Sequence, residues 1–134
     1  MVIDTSALVA VLTGEPEAEV FEDAINGDGK RLMSAASVLE TAIVLESRFG
    51  EDGPRELDLL IQRLPIEIVA VDLDQLEWAR YAFHTYGRGL HAAGLNFGDC
   101  FSYALARTTG EPLLFKGADF LKTDLTSAAA GPRA

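Results

Sequence analysis

Four carboxylates in this chain occupy contexts that ordinary surface acids do not share. Asp4 follows the apolar run Met1-Val2-Ile3 and is succeeded by Thr5-Ser6-Ala7-Leu8. Glu40 lies within the otherwise apolar stretch 35–45. Asp99 follows Phe97-Gly98 where a helical pattern begins, and Asp119 follows Phe115-Lys116-Gly117-Ala118. An ionised Glu on a mostly apolar face costs free energy unless it is paired or metal-bound. Three or four such groups suit one or two hard divalent cations, which prefer carboxylate and water oxygens. Such ions activate water, orient a phosphodiester and stabilise the leaving oxygen in an in-line displacement. Asp4, Glu40, Asp99 and Asp119 are therefore the candidate catalytic residues. The Thr5 and Ser6 hydroxyls are placed to hydrogen-bond a carboxylate or a metal-bound water. Each acid also has a plain structural alternative: Asp4 and Asp99 as helix caps, Asp119 as a turn residue.

The elements that must position these acids alternate between short β-rich runs and amphipathic helical stretches. That alternation predicts an α/β fold with a parallel sheet, whose ligands collect at the carboxyl ends of the strands. Predicted strands are Met1–Ile3, Arg31–Met33, Ile66–Val71 and Pro112–Phe115. Predicted helices run from Ser6 to Leu12, from Glu15-Pro16 to Asn26-Gly27, from a Ser34 or Ser37 cap to Arg48, and from Pro54 to Leu64. Two more begin at an Asp72 or Asp74 cap and at Gly98, the latter ending at Thr109. The glycine-bearing segment Gly87–Phe97 lacks a helical period and reads as a long functional loop. Residues 1–126 are expected to form one domain, and the small-residue segment 127–134 a flexible tail.

At 134 residues, nearly half of them apolar, the chain can bury a real core. Its 11 Lys and Arg against 21 Asp and Glu leave a net charge of −10, which excludes nucleic-acid binding through a general basic coat. A nuclease whose carboxylates hold cations survives that exclusion. The single cysteine, Cys100, rules out an intramolecular disulfide and fits a reducing cytoplasm. No apolar stretch approaches the roughly 18–20 residues that span a bilayer, so a soluble, cytoplasmic protein without membrane contact is expected.

Taken together and in order, Met1-Val2-Ile3-Asp4-Thr5-Ser6-Ala7-Leu8, Glu40, Phe97-Gly98-Asp99-Cys100 and the block Leu113 to Phe120 resemble the PIN-domain ribonucleases. More narrowly, they resemble the VapC toxins of bacterial type II toxin–antitoxin pairs. The resemblance spans residue 1 to about Asp124. It implies a PIN-like three-layer α/β/α fold with a short, mostly parallel central sheet, and cleavage of RNA that depends on Mg²⁺, with Mn²⁺ able to substitute. It places Asp4, Glu40 and Asp99 in the metal site and Asp119 at the more variable fourth acidic position. Many relatives carry Gly-Asp-Asp-Phe where this chain has Gly117-Ala118-Asp119-Phe120. The implied partners are an RNA substrate, a VapB-type antitoxin in a hetero-oligomer and a second copy in a homodimer.

Among the cations, Lys116 at a strand end and Arg88 in the long loop are the candidate RNA contacts. Cys100 beside Asp99, with His84 and His91 upstream, could be misread as a nucleophile and base, but a lone Cys on an apolar helix face is usually buried and inert. Two other functions compete with a nuclease. Asp72 and Lys116, each after a strand, allow a receiver-like phosphoryl-transfer domain. If the acids are only caps, the chain is a non-catalytic binding module.

Overall fold

Strands here give way to helices almost without loops, and this fixes where the functional side chains emerge. In a computed structural model, which describes residues 1–128, β1 (Val2–Ile3) passes through Asp4 into α1 (Thr5–Leu12), followed by α2 (Ala18–Gly27). Next, β2 (Leu32–Ser34) runs directly into α3 (Ala35–Phe49), and α4 (Asp52–Arg63) leads to β3 (Glu67–Val69). After α5 (Leu73–Tyr86) and a long loop come α6 (Phe97–Thr109), β4 (Leu113–Leu114) and a 3₁₀ turn at Asp119–Lys122. The four strands form one sheet in the order β3-β2-β1-β4. Every pair is parallel, with Val2 opposite both Leu32 and Leu113.

Successive strand residues point to opposite faces, and this alternation builds two cores. Met1, Ile3, Met33 and Leu114 pack with Leu8, Phe21, Leu45, Leu57 and Leu60 of α1 to α4. Val2, Leu32, Leu113 and Phe115 pack with Ala79, Ala82, Tyr103 and Leu105 of α5 and α6. Each fully buried Leu or Ile stabilises the fold by about 1.5–3 kcal/mol relative to exposure. The result is the expected three-layer α/β/α arrangement.

Departures from the predicted elements have local causes. The β-branched run at 66–71 forms a strand of only three residues. Val69 pairs with Ser34, and beyond it β2 has already turned into α3, so no partner remains. As an edge strand, β3 leaves Glu67 and Ile68 exposed. Pro54 does not start α4 but lies in its first turn, where its missing N–H costs no hydrogen bond. The loop expected at Gly87–Phe97 is closed at its base by a parallel bridge between Gly87 and Leu95. At the other end of the chain, Leu113 N–H donates to Thr126 O (2.9 Å) and Ala128 N–H donates to Leu113 O (2.8 Å). Ser127 and Ala128, assigned to the tail, thus cover the outer edge of β4; the rest of the expected tail lies outside the described residues. Among those described, no helix is long and apolar enough to cross a membrane.

Candidate active site

Asp4 emerges at the carboxyl end of β1, and its N–H donates to Leu114 O of β4 at 2.9 Å. The residue is only 4% exposed. Its extended backbone makes it the N-cap of α1, with Oδ2 accepting the Ser6 N–H at 3.0 Å. Oδ2 also accepts the Ser6 hydroxyl at 2.6 Å, and Oδ1 accepts the Ser102 hydroxyl at 2.5 Å. Those lengths are typical of hydroxyl donors to an ionised carboxylate. The capping role that the sequence allowed for Asp4 is thus realised at the carboxyl end of β1.

Glu40 sits one turn beyond Ser37 on α3, half-buried, and its Oε1 accepts the Thr5 hydroxyl at 2.9 Å. The same Thr5 hydroxyl also lies 3.1 Å from Ser37 O. The carboxylate lies against the first turn of α6, over Gly98. A Cβ at that position would collide with both Glu40 oxygens. Gly98 thus provides the room in which Glu40 sits.

α6 starts at Phe97, a residue earlier than predicted, because Asn96 caps it. Asn96 Oδ1 accepts the Asp99 N–H at 2.9 Å while Asp99 Oδ2 accepts the Asn96 N–H at 3.0 Å. This reciprocal box holds Asp99 half-buried beside the other acids. Burial first, then the charges of Asp4, Glu40 and Asp119, push its carboxyl up to about 6 against a partial offset from the Asn96 N–H. Asp119 is exposed at the start of the 3₁₀ turn. Its charge nevertheless reaches Asp99, so all four expected acids gather at one end of the sheet. Among the described residues none of the four is in an ion pair.

The Thr5 and Ser6 hydroxyls donate to Glu40 and Asp4 respectively. Ser102, Ser37 and Asn96 complete the support and were not anticipated. A usable signal existed for the serines: Ser37 precedes Glu40 by three residues and Ser102 follows Asp99 by three, so each shares a helix face with its acid. Lys116 departs from expectation. Its ammonium is held by Glu15, with Glu17 3.6 Å away, so it is not a free phosphate contact. What Lys116 offers the site is its backbone N–H, which donates to Ser6 Oγ at 2.9 Å. Arg88 is exposed in the loop.

Cys100 is buried, its Sγ 3.3 Å from Asn96 O, and burial with the nearby Asp99 charge pushes its thiol up to about 11. Little thiolate exists at neutral pH, so the group is not a nucleophile. Iodoacetamide at pH 8 is expected to leave Cys100 intact in the folded protein and to alkylate it in urea; rapid native alkylation seen by mass spectrometry would contradict this. His91 accepts the Ala93 N–H on Nδ1 at 3.0 Å and so braces its loop. The topology also removes the receiver-like alternative. Asp72 follows β3 and Lys116 follows β4, at opposite edges of the sheet, and Asp72 caps α5 through Gln75 N–H at 2.8 Å.

The donor set tests well against a hard divalent cation. All four groups are carboxylates, the charges of Asp4, Glu40 and Asp119 help to raise Asp99, and among the described residues none of the four is in an ion pair. As they stand, no three His, Cys, Asp or Glu side chains among the described residues form a ready-made ion cage. An ion would have to draw the carboxylates inward, and Asp119 is exposed at the rim.

Comparisons with known proteins place this geometry. The PIN domain family model matches residues 1–125. A VapC ribonuclease of Mycobacterium bovis is 61% identical over 129 residues, covering 96% of this chain and 98% of the relative. A ribonuclease VapC of Mycolicibacterium smegmatis is 62% identical over 127 residues, covering 95% and 98%. In fold, the chain is similar to the crystal structure of Mycobacterium tuberculosis VapC20, a Sarcin-Ricin loop cleaving toxin. The TM-score is 0.75 at 17% identity, covering 93% of this chain and 95% of that one. A toxin–antitoxin complex from Klebsiella pneumoniae gives a TM-score of 0.69 at 14% identity, covering 92% of each chain. The chain belongs to the PIN-domain family, among the VapC ribonucleases.

Proposed function

We propose that this chain is a metal-dependent endoribonuclease, the toxin of a VapBC-type pair acting in the cytoplasm. The observation that carries the reading is the convergence of Asp4, Glu40, Asp99 and Asp119, close enough for the other three to raise Asp99. Asp4, Glu40 and Asp99 would hold Mg²⁺ or Mn²⁺, with Asp119 at the rim. Bound there, the ion supplies an activated water and charge for the leaving oxygen. The chain's own residues do the rest. Thr5 holds Glu40 by its Oε1, Ser6 and Ser102 hold Asp4 by both oxygens, and the Asn96 cap orients Asp99.

Partners follow from the surface beside the acids. A groove of about 530 Å³ lined by Leu39, Ile43, Val44, Phe97 and Phe101 runs up to Glu40 and Gly98. It suits the apolar face of an antitoxin segment that lays an arginine over the acids. On the other side of Phe97, exposed Leu76 and Phe83 of α5 border a second apolar groove, the face we assign to a homodimer.

Incubation of the EDTA-treated protein with a labelled RNA tests the reading. No cleavage is expected until Mg²⁺ or Mn²⁺ is added, and the products should carry no 2′,3′-cyclic phosphate, because water rather than the ribose 2′-hydroxyl attacks. Cleavage that persists in EDTA overturns metal dependence. Absence of both metal binding by calorimetry and cleavage would favour the non-catalytic module.

A further inference from the structure

Each oxygen of Asp4 receives a hydroxyl, and each hydroxyl is itself fed from a different element. On Oδ2, Ser6 donates at 2.6 Å while its own oxygen accepts the Lys116 N–H at 2.9 Å. On Oδ1, Ser102 donates at 2.5 Å. Ser102 Oγ also lies 3.3 Å from Ser37 Oγ, a contact in which geometry alone leaves the donor open. The chemistry closes it. A serine hydroxyl has one proton, and an ionised carboxylate can only accept, so Ser102 spends its proton on Asp4. Ser37 must therefore donate to Ser102. A one-way relay runs from α3 through α6 to the end of β1: Ser37, Ser102, Asp4.

Both serines are fully buried, at 1% and 0% exposure. Buried hydroxyls are unfavourable unless hydrogen-bonded, and here the bond they make ends on a candidate ligand. The cap of α1 does not need this bond, because Asp4 makes it with Oδ2 to Ser6 N–H. What Oδ1 gains from Ser102 is a fixed rotation about the Cβ–Cγ bond. We propose that Ser102 is a positioning residue for RNA cleavage, and that Ser37 sets the direction of the Ser102 proton. The catalytic part of this inference rests on the nuclease reading above; the orientation of Asp4 does not.

Three substitutions separate the hydroxyl from its volume. Ser102→Cys keeps the shape and supplies a poor donor, Ser102→Ala removes the donor, and Ser102→Thr restores it. Residues that orient ligating carboxylates typically change activity by 10- to 100-fold when removed. Ser102→Ala and Ser102→Cys are accordingly expected to lower single-turnover RNA cleavage by about 10- to 100-fold. Ser102→Thr should lie closer to wild type than either. In metal-free protein, the ¹³Cγ resonance of Asp4 should move in Ser102→Cys and return towards its wild-type position in Ser102→Thr. Ser37→Ala should slow cleavage in the wild-type background and add nothing in the Ser102→Ala background, because the two act through one bond.

An unmoved Asp4 resonance in Ser102→Cys, or wild-type cleavage by Ser102→Ala, overturns the proposal. Full additivity of Ser37→Ala and Ser102→Ala overturns the relay. If a Ser102 variant fails to fold, the Asp4 resonance and cleavage rate of Ser37→Ala decide, both expected to change. If the wild-type protein cleaves no RNA with Mg²⁺ or Mn²⁺, the nuclease reading falls, and the Asp4 resonance alone decides the positioning claim.

Discussion

Asp99→Asn is expected to give a protein that no longer cleaves RNA yet resists unfolding better than the wild type. In the folded state, burial and three neighbouring carboxylates lift Asp99 from 3.8 to about 6. Between those two values the folded chain binds more protons than the unfolded one, so this group's contribution to stability falls as pH rises through the window. Above about pH 6 the loss is complete and stays constant. Two units correspond to ~3 kcal/mol. Asp99 is only half-buried, and solvent screening reduces this to about 1–2 kcal/mol. A neutral Asn escapes the penalty while its Oδ1 still accepts the Asn96 N–H, so the cap survives. Melting of EDTA-treated samples at pH 7.5 should show the variant a few degrees higher, and the difference should vanish towards pH 4. Cleavage should drop by about a thousandfold, the loss of ~4 kcal/mol when a carboxylate that holds the ion is removed. A variant less stable than wild type at pH 7.5 would refute the electrostatic account, and normal cleavage would remove Asp99 from the site.

Gly98→Ala should lower activity by a different route, crowding rather than charge. Gly98 does not adopt the left-handed conformation, so the substitution introduces no backbone strain. Its new methyl would meet Oε1, Oε2 and Cδ of Glu40, the end of a flexible side chain that can swing away. The fold therefore yields cheaply, and replacing Gly by Ala within a helix gains roughly 0.5–1 kcal/mol. The melting temperature should hold or rise while cleavage falls by about a hundredfold, as for other carboxylates displaced from their supports. Glu40→Ala should have a comparable effect, and the double variant little more than either single one. Wild-type rates in Gly98→Ala would mean that Glu40 has no part in the reaction.

The sheet, its helices and the four acids were legible because each leaves a local mark. An apolar run that ends in Asp4 and an apolar helix that carries Glu40 are marks of this kind. Ser37 and Ser102 share helix faces with Glu40 and Asp99, but their bond to each other across 65 residues leaves no local mark. Lys116 misled for a related reason. Its position beside the acids follows from β4, but its ammonium is claimed by Glu15 and Glu17, whose approach depends on how α1 turns into α2. The short length of β3 likewise depends on β2 ending at Ser34, which the β-branched composition of 66–71 does not record.

β1 pairs on one side with β2 and on the other with β4. During synthesis a domain generally folds as a unit. The Ser102 hydroxyl reaches Asp4 from 98 residues further along the chain, and the Lys116 N–H reaches Ser6 from 110 residues further. An incomplete nascent chain therefore has no assembled cleaving centre. A nuclease made beside the RNA that encodes it is silent until β4 has been made and paired with β1.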